Sequence, residues 1–121
     1  MSDAAAIESH FLACLDRSPD EPRPFRHWLL EDALPGQACV AIDALPFAPP
    51  AIDDTGGKRE THNSTRVFFG ADARRRYAVC EDLAEALQGA AVTGRVAARC
   101  AVDLADSLLR IEYCLDTRSE E

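Results

Sequence analysis

The run Ser107-Leu108-Leu109-Arg110-Ile111-Glu112-Tyr113-Cys114-Leu115-Asp116-Thr117 alternates from Leu109 onward. Leu109, Ile111, Tyr113 and Leu115 fall on one side, and Arg110, Glu112 and Cys114 on the other. A period of two over β-branched, aromatic and aliphatic residues predicts a strand with one face on a core. With two long helices and two or three strands before it, this terminal strand completes an α+β pattern.

Moving back along the chain, Ala90 to Cys100 predicts a helix in which Val92, Val96 and Cys100 align. Gly94 in its middle costs about 1 kcal/mol relative to alanine. Ala71 to Gln88 is also helical, in one piece or two, with Tyr77, Cys80, Leu83 and Leu87 at helical spacing and Gly89 as terminator. Thr61 to Phe69 reads as a strand, with Thr61, Asn63, Thr65, Val67 and Phe69 on one side and His62, Ser64, Arg66 and Phe68 on the other. Pro49-Pro50 and Asp53-Asp54-Thr55-Gly56-Gly57 predict a long surface loop before it.

Leu34-Pro35 opens a second helix that Pro46 closes, with Leu34 able to staple onto Ala38, Ile42 and Leu45. Phe25 to Leu30 is apolar enough to predict a strand, and the prolines of 18–24 make a stiff linker before it. Asp3 to Asp16 predicts the first helix, with Ala4, Ile7, Phe11, Cys14 and Leu15 on one stripe. The expectation is one domain: a helix within 1–17, a linker at 18–24, an α+β core of helices packed on an antiparallel sheet at 25–117, and a polar tail at 118–121.

Net charge is −8 and the isoelectric point is near 4.8, so the chain has no long-range attraction for phosphate backbones and nucleic-acid partners are not expected. No run approaches the roughly 20 apolar residues that cross a bilayer. Met1-Ser2-Asp3 lacks the basic start of a secretory signal, which predicts a cytoplasmic protein with no membrane partner. The five cysteines (Cys14, Cys39, Cys80, Cys100, Cys114) are scattered singly, as reduced core thiols are.

Arg110-Ile111-Glu112-Tyr113-Cys114-Leu115-Asp116-Thr117 resembles the strand that leads into the iron-binding His-x-Asp of prolyl-hydroxylase-like, non-haem iron, 2-oxoglutarate-dependent oxygenases. Arg59 to Phe69, and Leu34-Pro35 through Leu45-Pro46-Phe47, look like the preceding elements of bacterial proteins in that group. The resemblance covers most of the chain from Pro24 on. It implies the front part of a double-stranded β-helix, or jelly roll, whose full-length relatives hydroxylate a substrate with Fe(II), oxygen and 2-oxoglutarate. It also implies that Tyr113 binds the 2-oxoglutarate and that Asn63 and Arg66 orient substrate. The plainer reading of Tyr113 is an aromatic packed with Ile111 and Leu115, and it is favoured because Asp116 to Glu121 lack the glycine and the His-x-Asp. For Asn63 and Arg66 the equal alternative is solvated residues at a sheet edge.

A facial triad needs His-x-Asp or His-x-Glu plus a distant histidine. His10 is followed by Phe11-Leu12, His27 by Trp28-Leu29 and His62 by Asn63-Ser64, so no motif starts and no metal or catalytic residue is expected. The function expected is that of a truncated or split oxygenase-like chain, holding no cofactor by itself and not catalytic alone. The alternative is a non-catalytic interaction module that associates, with itself or with a complementary chain, through an exposed C-terminal strand. A third class, an enzyme using cysteine or histidine chemistry, has no recognisable nucleophile and base pair. His10 and Cys14 share a helical face but make only two ligands. Gly56-Gly57-Lys58 fails the phosphate-loop pattern, since Ile52 stands at the first glycine and Arg59 at the Ser or Thr. Arg74-Arg75-Arg76 reads as a solvated helix face.

Overall fold

A computed structural model describes residues 3–47 and 66–114. Its elements are α1 (Ala4–Arg17), α2 (Gly36–Asp43), β1 (Arg66–Phe68), α3 (Ala71–Arg76), α4 (Ala78–Gln88), α5 (Ala90–Cys100) and β2 (Glu112–Cys114). The two strands pair antiparallel, with Val67 opposite Tyr113 and Phe68 opposite Glu112. The described part is thus α+β, helices with a small antiparallel sheet. No described helix is long and apolar enough to cross a membrane.

Helix α4 is central, touching α1, α2, α3 and α5. Its apolar positions recur every three or four residues, so Leu83 and Ala86 meet Ala4 and Ile7 of α1 and Ala38 of α2 in one buried cluster. Leu34 and Ile42 pack on that cluster, as a residue preceding the helix and a residue of its stripe should. A second cluster, Leu45, Ala73 and Cys80, lies beneath the sheet and is covered by Phe47, Phe69, Tyr77 and Tyr113. Cys80 is fully buried in this cluster, and that burial pushes its thiol up from the ordinary pKa.

The helical stretch 71–88 comes in two pieces. Tyr77 turns to an extended conformation, φ −128° and ψ 117°, and ends α3 while starting α4. Helix α5 closes with Ala101 at φ 57°, where Val102 N–H bonds Ala97 O and Ala101 N–H bonds Ala98 O. This is the two-bond left-handed close that glycine usually supplies.

Two expectations are corrected. Phe25 to Leu30 is not a strand: it joins the fold through a single antiparallel bridge, Glu21 with His27, whose N–H groups and carbonyls bond reciprocally at 2.9 and 2.8 Å. A strand needs a partner along its length, and the prolines at 22 and 24 leave the preceding segment too few donors to be one. The segment is held instead by side chains. Arg26 and Arg99 guanidiniums stand 5.0 and 5.7 Å from the Trp28 ring centre, and Arg26 also donates to Arg99 O.

The last strand is also shorter than its alternation implies. β1 ends at Phe68, Phe69 N–H bonds Ile111 O, and α3 begins at Ala71, so residues 107–110 have no strand beside them. Leu109 therefore leaves the core face, whereas Tyr113 keeps it. Residues 61–65 of the predicted upstream strand, and 115–117 of the last one, lie outside the described residues.

Candidate interaction surfaces

Tyr113 is half-buried on the inner face of the sheet. Its ring meets Phe47 edge-on, centroids 5.3 Å apart at 85°, and Phe47 makes the same kind of contact with Tyr77 at 5.4 Å and with Phe69 at 6.4 Å. Each such pair adds about 0.5–1.5 kcal/mol beyond area burial. Four rings from three separate stretches therefore hold the ribbon onto α3 and α4. Arg66 is the first residue of β1, paired in register with Cys114. Asn63 lies outside the described residues.

The histidines that are described are engaged locally. His10 Nε2–H donates to Asp32 O at 2.8 Å, and His27 Nδ1–H donates to Phe25 O at 2.7 Å. Among the described residues no three His, Cys, Asp or Glu side chains gather where a metal ion would fit. His62 lies outside the described residues.

The ribbon has a second aspect, its edge. In an antiparallel ladder, bonded and non-bonded pairs alternate. Since Phe69 bonds Ile111, the Phe68 and Glu112 pair is non-bonded, and the Phe68 N–H and C=O point away from β2. Among the described residues nothing takes them up. The Phe68 side chain is 50% exposed on the outer face, where the Arg110 guanidinium lies 4.7 Å from its ring centre and pairs with Glu112 at 3.3 Å. The C-terminal strand itself is covered on one edge by β1, so the open backbone centred on Phe68 belongs to β1.

On the far side of α5 lies the larger cavity, an open groove of about 390 Å³. Phe11 of α1, Leu87 of α4, and Val92 and Val96 of α5 form its floor. Leu104, Leu108 and Leu109 of the segment after α5 form one wall. That wall is tied down: Ser107 N–H bonds Leu104 O, the Asp103 carboxylate accepts Ala105 N–H, and Gln88 Nε2 donates to Leu109 O at 2.8 Å. Leu108 is nonetheless 97% exposed. A smaller hollow of about 140 Å³ lies between α1, α2 and α4, but Asp82 at its edge already accepts the Asp3 N–H.

Sequence reading missed both the β1 edge and the groove. A signal for the groove existed in Leu108-Leu109, two adjacent leucines that cannot both face the core of one strand. No family model, no curated protein and no solved structure matches the chain.

Proposed function

We propose that this chain is a non-catalytic interaction module that associates by adding a strand to its β-ribbon at Phe68. The observation that carries the reading is the outward N–H and C=O of Phe68, which no described residue takes up, beside a half-exposed ring. Edge backbone of this kind is a template for another strand. The partner that satisfies it most simply is β1 of a second copy, antiparallel about a two-fold axis through Phe68. That axis sets the two Phe68 rings opposite one another, a favourable cross-strand pair, and puts Arg66 opposite Gly70 rather than opposite its own copy. Residues 66–68 and 112–114, which fall within the two stretches that resemble oxygenases, pair antiparallel, and this supports the further reading that the module descends from such a fold.

A three-residue edge makes a small interface, so the association is weak and reversible. Sedimentation velocity from micromolar to near-millimolar chain is the test, with self-association expected to strengthen as salt screens the −8 charge of each copy. Phe68→Pro removes the outward N–H together with the ring and should abolish association, while Phe68→Thr, which loses the ring but keeps that N–H, should only weaken it. Exchange of the Phe68 amide with solvent should slow as concentration rises. A chain that stays monomeric throughout, with a concentration-independent Phe68 amide, overturns the reading.

A further inference from the structure

The geometry points to a second, independent docking site: the groove between α1, α5 and the 104–109 wall takes a basic amphipathic helix of another protein. Three observations select that occupant. The floor is apolar and the wall is fixed by its own hydrogen bonds, so the trough exists before anything enters it. It is also open, with Leu108 almost wholly in solvent, which suits a row of side chains spaced along a helix better than an enclosed small molecule.

The charges around it supply the third. Asp103 and Asp106 stand on the wall on either side of Leu104, and the Glu8 carboxylate reaches the α4–α5 junction, 3.8 Å from where a Cβ on Gly89 would sit. None of the three acids forms an ion pair with a described residue. The bases nearby are already committed. Arg95 is paired with Asp16, Arg99 donates to Leu15 O and Ser18 O, and Arg110 pairs with Glu112. The rim is therefore negative around an apolar floor, the complement of leucines flanked by lysine or arginine. The same rim repels an anionic membrane surface and a phosphate backbone.

The test is fluorescence anisotropy of a labelled synthetic helix of Leu and Lys heptads titrated with the full chain, beside the same helix with Gln, and then Glu, in place of Lys. The Lys helix should bind, more weakly as salt rises, and the Gln and Glu helices should bind much less. Leu108→Asp decides between docking and general stickiness. It adds a negative charge, so non-specific attraction predicts tighter binding, whereas groove docking predicts a loss of about ten-fold or more. Asp103→Asn with Asp106→Asn should cost several-fold and flatten the salt dependence. Phe68→Pro should change nothing here, which separates this site from the ribbon edge. Equal binding of the three helices, or tighter binding by the Leu108→Asp chain, overturns the proposal.

Discussion

Arg99 does more than its place on a polar helix face suggests. Its guanidinium donates to Leu15 O at 3.0 Å, which also accepts the Ser18 N–H at 3.3 Å, and to Ser18 O at 2.6 Å, just past the end of α1. It also lies over Trp28, so one side chain joins α1, α5 and the 18–30 segment. A planar fork serves both carbonyls at once, and a lysine cannot. Arg99→Lys should therefore cost about 1–2 kcal/mol and Arg99→Met about 2–3 kcal/mol, given roughly 1.5 kcal/mol or more per charged hydrogen bond. Urea unfolding measures both, and equal stability of Arg99→Lys and the parent would show that charge alone suffices. Tyr113 makes the contrasting case. The plainer reading of its sequence position packs it with Ile111 and Leu115, and the ring contact the structure shows is with Phe47, from a distant stretch of the chain.

The helices were legible because their information is local. Of the stripe Ala4, Ile7, Phe11, Cys14, Leu15, all but Phe11 are buried as its spacing predicts, Phe11 lying half-buried in the groove, and the possible break within 71–88 falls at Tyr77. Strands depend on a neighbour that the sequence does not name. Phe25 to Leu30 has strand composition but no partner beyond Glu21, and residues 107–110 lose theirs where the chain turns into α3. Within α5 the local rules give a sharp expectation. Gly94 is exposed, and a Cβ there would meet nothing within 4 Å. Gly94→Ala should then stabilise by the full helix-propensity difference, about 1 kcal/mol. Ala101, at φ 57°, is the reverse case, and Ala101→Gly should relieve roughly 1 kcal/mol of left-handed strain. Thermal unfolding of the two single variants checks this. A Gly94→Ala chain no more stable than the parent would mean that α5 frays before global unfolding.

For the molecule as a whole, the sequence held at most a hint of one surface, in the adjacent Leu108 and Leu109, because each surface is assembled from segments far apart in the chain. The groove joins Phe11, Leu87 and Leu108, and the edge at Phe68 follows only from the register with Glu112. What the sequence did carry is charge: 21 acidic against 13 basic residues. Much of the basic complement that is described is used in close, exposed pairs such as Arg26 with Asp20 at 2.9 Å and Arg75 with Asp72 at 3.2 Å. Such pairs contribute about 0.2–1 kcal/mol each. Their partners sit well inside a Debye length of about 10 Å at 0.1 M salt, so screening weakens them little. The unpaired acids repel over longer distances, and that repulsion is what salt removes first. Stability should therefore rise between low and physiological ionic strength, by roughly 0.5 kcal/mol or about 3 °C in Tm for a domain of this size. The measurement belongs at a chain concentration low enough to keep the Phe68 edge unpaired, since self-association would raise Tm by mass action as well. A Tm that falls on adding salt would mean that the close pairs, and not the excess of carboxylates, set the electrostatic balance of the fold.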